Sequence, residues 1–136
     1  MRVLVTGAAG RLGWHTVGHL LKAGHEVVAT DVEYRNDMPV KLIVADLLDR
    51  IGAYRLVDGC DALVHLGNHP NQHAISPDQR LYSENVTMTM NIVQAALDSG
   101  IRKIVFSSSI QAACSRRVGR LLVPGKERPV KCLTRL

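Results

Sequence analysis

A doubly wound α/β fold, with about five parallel strands and helices on both faces, is predicted by three features of the sequence. Short β-branched runs alternate with longer segments of helical period. The runs are apolar throughout rather than at every second residue, as strands covered on both faces must be. A glycine-rich segment, Thr6-Gly7-Ala8-Ala9-Gly10-Arg11-Leu12-Gly13, joins the first run to the first helix. Crossovers in such sheets are almost always right-handed, which leaves few other topologies.

The elements follow in order. Val3-Leu4-Val5-Thr6 reads as a buried strand ended by Gly7. Leu12, Val17, Leu20 and Leu21 fall close to helical spacing, and Gly24 ends that helix. Glu26 to Thr30 is the second strand, closed by Asp31, and Lys41 to Ala45 the third, closed by Asp46. Arg50 to Val57 is a short helix stopped by Asp58-Gly59, and Ala62 to Leu66 is the fourth strand, closed by Gly67. A longer helix is expected from about Asp78, after Pro77, to Ser99. Its apolar stripe is read as Val86, Met90, Val93 and Leu97, with Met88 and Met90 as packing residues, and Gly100 ends it. Lys103 to Phe106 is the fifth strand, running into Ser107-Ser108-Ser109.

Length and composition fit one globular domain. The 136 residues are 46% hydrophobic, which excludes a disordered or low-complexity chain. No run approaches the ~18 apolar residues of a membrane span, and the start does not read as a signal peptide. Cys60, Cys114 and Cys132 are odd in number and hold no CxxC pair. That excludes a disulfide framework or zinc ribbon and fits a reducing, cytoplasmic setting. Cys60 and Cys114 read as small core residues.

The net charge of +5 is not spread evenly. Residues 1–114 carry 10 Lys and Arg against 11 Asp and Glu, whereas residues 115–136 carry seven cations against Glu127 alone. This basic tail holds Pro124, Gly125 and Pro129 without helical or strand period, so an irregular, solvated end is expected. None of the five aromatics lies there, so a stacking platform for nucleic acid is missing and a nucleic-acid partner is not favoured.

The glycine segment carries the chemistry. Gly7 permits a sharp turn out of the strand, Gly10 lets backbone approach a pyrophosphate, and Gly13 lets helix and sheet pack closely. The helix N-terminus beyond offers unpaired N–H groups and a positive dipole end to an anion. Asp31 stands 18 residues past Gly13 at the end of the second strand. A carboxylate there accepts from ribose hydroxyls and repels a 2′-phosphate, which favours NAD over NADP. Arg11 and Arg35 are nearby cations that soften the preference, and the plainer alternative is that Asp31 only caps a turn.

Several motifs, in order, resemble the extended short-chain dehydrogenase/reductases, the NAD-dependent epimerase/dehydratase family. The segment TGAAGRLG resembles that family's TGxxGxxG, and Asp31 its ribose-binding acid. Ala45-Asp46-Leu47 looks like its DL pair, and His65-Leu66-Gly67 like its segment after strand four. Glu84-Asn85-Val86 with Asn91-Ile92-Val93 is similar to its NVxGTxNVLEAA helix, and Phe106-Ser107-Ser108-Ser109 to its FSSS. The resemblance implies a Rossmann-type domain over residues 1–114 that binds NAD. Gly7, Ala9, Gly10, Arg11, Leu12, Gly13, Asp31, Asp46, Leu47, Leu66, Gly67, Asn85 and Ser107 would hold the cofactor. Ser109 would orient the substrate, a sugar or nucleotide-sugar.

The departures from the family pattern are as informative. The Tyr-x-x-x-Lys pair that supplies the family's acid/base is absent, and no tyrosine follows Tyr82. With the charge shift after residue 114, this implies a chain cut short, by truncation, frameshift or a misread gene, before the sixth strand and the substrate domain. Such a chain would bind cofactor without catalysis. The competing readings are a non-catalytic NAD-binding module working with a partner, and a remnant with a basic tail. A fifth strand left at the sheet edge would present Ile104, Val105 and Phe106 and promote association or low stability.

Other groups read as structural. His15 and His19 lie four apart but lack the Glu of a zinc-protease helix. His65, His69 and His73 read as solvated or capping histidines. Alternatively, His69, Asn71 and His73 line a substrate pocket at the carboxyl ends of the strands. Ser109 has no His–Asp order for a hydrolase triad.

Overall fold

The central strand β1 (Arg2–Thr6) is hidden along its length, with Val3, Leu4, Val5 and Thr6 at 3% exposure or less. It lies between β2 (Glu26–Asp31) and β4 (Ala62–His65), parallel to both, with Val3 opposite Val27 on one side and Ala62 on the other. β3 (Leu42–Val44) and β5 (Lys103–Phe106) complete a five-stranded parallel sheet of order β3-β2-β1-β4-β5. The computed structural model describes residues 1–69 and 78–108. Asn71, His73, Ser109, the boundary expected at residue 114 and the basic tail therefore lie outside the described residues. Met1–Phe106 form one unit by themselves.

The alternation hidden in an all-apolar strand is resolved by two cores. Val3 and Val5 join Val17, Val27, Ala29 and Ala62 under α1 (Arg11–Lys22). Leu4 and Leu63 join Leu56, Val57, Ile92 and Ile101 under α2 (Arg50–Val57) and α3 (Asp78–Asp98). Successive side chains of a strand point to opposite faces, so only a sheet covered on both sides needs every residue apolar. The helix ends use local chemistry. The Asp49 carboxylate accepts the N–H of Ile51 at 3.0 Å to start α2. α1 and α3 finish on Gly24 and Gly100, each at φ +79°.

α3 corrects the sequence reading. Its buried face is Met88, Ile92, Ala95 and Ala96, whereas Val86, Met90 and Leu97 are 62%, 60% and 56% exposed and Val93 is half-buried. Met90 is thus not a packing residue, although Met88 is. The helix carries two apolar stripes, and reading by side-chain size selects the larger. Ala95 and Ala96 are small enough to bring the helix close to the sheet, and Asn91 fixes the same rotation by donating to the carbonyls of Leu47 and Leu48 at 2.9 and 3.2 Å. On α1, likewise, Leu12 is 61% exposed rather than part of the core.

The edges differ from expectation in detail. β3 is shorter than the Lys41–Ala45 run, and its Ile43 and Val44 are 41% and 57% exposed. An edge strand pairs on one side only, so its residues need not be hidden. β5 is the other edge of the described sheet, with Val105 and Phe106 exposed and Ile104 packed on the core.

The two stripes of α3 give opposite mutational outcomes. Ile92→Ala is expected to cost about 2–5 kcal/mol of stability, and Val86→Ala to change it by less than ~0.5 kcal/mol. Urea unfolding of both variants checks this, and a Val86→Ala loss equal to that of Ile92→Ala would show that the buried face is misassigned.

Candidate functional site

The order β3-β2-β1-β4-β5 reverses direction between β1 and β4, and open parallel sheets bind ligands at the carboxyl ends of strands beside such a reversal. Gly7 turns the chain there at φ +66°. A Cβ on Gly7 would lie 2.7 Å from the backbone nitrogen of Gly67, so the turn from β1 and the turn from β4 touch. A Cβ on Gly13 would lie 2.0 Å from the Gly7 carbonyl oxygen, so α1 sits directly on that turn. Both glycines are steric requirements of the same contact.

The start of α1 is built to receive an anion. Its first-turn N–H groups have no intrahelical acceptor, no side chain caps it at Gly10, and no acidic residue occupies its first turn. In front of it lies a cavity of about 300 Å³, lined by Thr6, Gly7, Ala9 and Gly10, by Thr30 to Glu33 at the end of β2, and by Ala45, Leu47, Leu66, Gly67, Asn68, His69 and Met88. These residues fit a dinucleotide: a glycine cradle for pyrophosphate, a carboxylate for ribose, and apolar side chains for a base.

Asp31 organises the rim. One of its carboxylate oxygens accepts the N–H of Ala9 at 2.9 Å and the other that of Glu33 at 3.2 Å. It therefore caps a turn and holds the glycine segment at once, and each oxygen keeps a lone pair for a ribose hydroxyl. Arg35 holds the same residue from the other side, donating from Nη1 to the Ala9 carbonyl at 2.9 Å. Its Nε and Nη2 donate to the two oxygens of Asp37 at 2.5 and 3.0 Å, and its guanidinium lies 5.3 Å from the centre of the Trp14 ring. The Arg35 hydrogen bond holds the Asp37 carboxyl below the usual range, and Asp37 in turn raises Arg35.

His65 corrects another expectation. It is fully buried rather than solvated, stacked on Phe106 with ring centres 5.6 Å apart. Its Nδ1 is 2.7 Å from the Thr6 hydroxyl and its Nε2 3.1 Å from that of Thr89, while the Gly67 N–H donates to the Thr6 hydroxyl at 3.3 Å. One consistent arrangement has Thr6 donating to Nδ1 and Nε2–H donating to Thr89. The ring thus ties the end of β1, the turn after β4 and α3 together. Burial pushes its pKa down to about 4. The sequence signal was its place inside an otherwise apolar central strand, where even a polar residue must be buried.

Of the residues expected to hold a cofactor, the structure brings Gly7, Ala9, Gly10, Asp31, Leu47, Leu66 and Gly67 to one cavity. Gly13 packs behind it, and Arg11 and Leu12 form the exposed first turn of α1. The Asp46 carboxylate accepts the Leu48 N–H at 2.8 Å. Asn85 clasps the backbone of His69, accepting its N–H at 2.8 Å and donating to its carbonyl at 3.3 Å. Ser107 follows β5 in the chain. Sequence reasoning missed Met88, which reaches the cavity from the buried face of α3, and Thr6, whose hydroxyl joins two turns. His69, weighed as a pocket residue, does line the cavity, with Nε2 3.4 Å from Glu84. No helix among the described residues is long and apolar enough to cross a membrane.

Comparison with known proteins gives concordant relatives. The model of the NAD dependent epimerase/dehydratase family matches residues 3–120. The L-arabinose 1-dehydrogenase (NAD(P)(+)) of Haloferax volcanii is 33% identical over 108 residues, covering 79% of this chain and 41% of that protein. A short-chain dehydrogenase/reductase superfamily protein from Agrobacterium tumefaciens, solved with bound NAD, has a TM-score of 0.80 at 28% identity, over 95% of this chain and 39% of that one. The UDP-glucose 4-epimerase of Thermus thermophilus in complex with NAD has a TM-score of 0.78 at 29% identity, over 95% and 45%. This chain spans about two fifths of the length of these relatives.

The buried His65 sets a pH dependence. Its folded pKa of about 4 lies below the ordinary 6.5, so the unfolded chain binds the proton more readily. Stability is full above pH 6.5 and is lost as pH falls through 4, by about 3 kcal/mol in total. Asp37 and Asp98 are also lowered, from 3.8, so they act in a more acid window. Urea midpoints between pH 7 and 4 are expected to fall for the natural chain and to flatten in His65→Asn. An equal slope in that variant would remove His65 as the cause.

Proposed function

This chain belongs to the NAD dependent epimerase/dehydratase family, and from that premise we propose that residues 1–114 are the NAD-holding part of an oxidoreductase acting on a sugar or nucleotide-sugar. The observation that carries the reading is the uncapped start of α1 above the Gly7 turn, with Asp31 fixed beside it. The α1 N-terminus and Gly10 receive the pyrophosphate, Asp31 takes the adenosine ribose, and Ala45, Leu47 and Met88 give the base an apolar wall. Bound there, the dinucleotide supplies a hydride acceptor and donor.

The chain's own residues place and shield it. The Gly7–Gly67 contact holds the two turns at one spacing, and His65 with Thr6 locks that spacing from below. Ser109 orients the substrate oxygen. The proton transfer of the whole reaction belongs to a Tyr-x-x-x-Lys pair, which is not among these 136 residues. They therefore bind cofactor without turning over sugar. The sugar-directed relatives support the substrate class, and the cysteine pattern supports a cytoplasmic site of action.

Trp14 is the single tryptophan, so energy transfer to NADH reports binding directly. Saturable NADH binding is expected, weakened roughly 10- to 100-fold in Asp31→Ala by loss of hydrogen bonds to a charged acceptor. No epimerase or dehydrogenase turnover is expected with UDP-glucose or L-arabinose. A folded chain that binds no NADH would overturn the cofactor reading, and turnover by the chain alone would overturn the assignment of proton transfer to residues outside it.

A further inference from the structure

Beside the cavity stands a cation, Arg35, three of whose five N–H donors are already used. Ala9 is shared by two side chains, Asp31 on its N–H and Arg35 on its carbonyl. The guanidinium and the carboxylate assigned to the adenosine ribose are therefore held by the same residue. A phosphate on the 2′-oxygen of that ribose would bring close to two negative charges to this corner and would need a fork of donors. Arg35 is the group placed to provide it.

Its donor inventory shows why it does not. Of five N–H groups, one on Nη1 serves Ala9, and Nε with one on Nη2 is taken by Asp37 in a two-pronged pair. The guanidinium lies over the Trp14 ring, and Trp14 also donates from Nε1 to the Asp37 carbonyl at 3.2 Å. Arginine, tryptophan and aspartate thus form one rigid unit, with the arginine charge neutralised from within. The Asp31 carboxylate adds a second negative charge beside Ala9, and Glu33 lines the same cavity.

We propose that Asp37 is a specificity-determining residue: by occupying the fork of Arg35 it denies a 2′-phosphate its partner and so excludes NADP in favour of NAD. The proposal rests on the dinucleotide reading of the cavity. Asp31 repels a 2′-phosphate in any case, so Asp37 sets the degree of exclusion rather than the existence of binding. Without the Asp37 carboxylate, Arg35 remains anchored by the Ala9 carbonyl and by Trp14, with its outer edge open toward the ribose.

The test compares NADH and NADPH dissociation constants, read from nucleotide fluorescence, for the natural chain, Asp37→Ala, Asp37→Asn and Asp37→Ala with Arg35→Ala. Asp37 is half exposed, so its variants are expected to keep the fold, checked by circular dichroism. NADPH affinity is expected to rise about tenfold in Asp37→Ala and Asp37→Asn while NADH affinity stays within about threefold. The gain should vanish in the double variant and shrink in high salt. Unchanged NADPH affinity with intact NADH binding overturns the role of Asp37 alone, as does a gain that survives loss of Arg35. Failure of the natural chain to bind NADH overturns the cofactor reading and this proposal with it.

Discussion

The molecule depends on one crowded backbone contact. The carbonyl of Gly7 stands where the Cβ of residue 13 would be, and the Gly67 amide where that of residue 7 would be. Two strand ends and one helix start are stacked through that point, with no side chain between them. The closeness fixes where α1 begins, and so where its unpaired N–H groups gather. It also fixes the distance between the β1 and β4 turns, which sets the width of the cavity floor. Any side chain inserted there must move backbone, and an interior packed to crystal density has nowhere to send it.

A contact made only of backbone carries no specificity of its own, so polar side chains hold it in register from two sides. On the inner side, His65 joins the Thr6 hydroxyl to that of Thr89, and Thr6 also accepts the Gly67 amide. On the outer side, Asp31 holds the N–H of Ala9 and Arg35 its carbonyl. The inner clamp works in a buried, low-dielectric place, where a satisfied neutral network is rigid and a charged ring is costly. The outer clamp is only partly buried and gains its strength from ionic hydrogen bonds.

What the sequence showed and what it hid follow from range. Gly7, Gly10, Gly13 and Asp31 were legible because each marks a local need, a turn or an acid at a strand end, that few residue types meet. The doubly covered sheet was legible because only such a sheet explains strands that are apolar throughout. The face of α3 was not legible, because Ala95 and Ala96 count for little in a hydrophobic period, yet they decide how near the helix can come. The burial of His65 was hidden by its polarity, although its neighbours Val64 and Leu66 marked the strand as internal. The Arg35–Asp37 pair lies two residues apart in plain view. Its meaning depends on the Ala9 carbonyl and the Trp14 ring, which only the folded chain brings to it.

On the proposed reading of the cavity, Asp31 makes cofactor recognition and loop order the same interaction. Its carboxylate already holds Ala9 and Glu33 before any ligand arrives, so the acceptor offered to a ribose is pre-oriented and little entropy remains to be lost on binding. A ligand that hydrogen-bonds to Asp31 in the folded chain alone would stabilise the native state by mass action. On that reading, loss of the carboxylate would weaken binding and loosen the turn together, two effects that a single substitution at this position does not separate. Arg35 and Asp37 are less ambiguous, because the hydrogen bond to the Ala9 carbonyl comes from Arg35 and not from Asp37. On the proposed role of Asp37, selectivity between related dinucleotides would be adjustable beside the cavity without altering the turn beneath it.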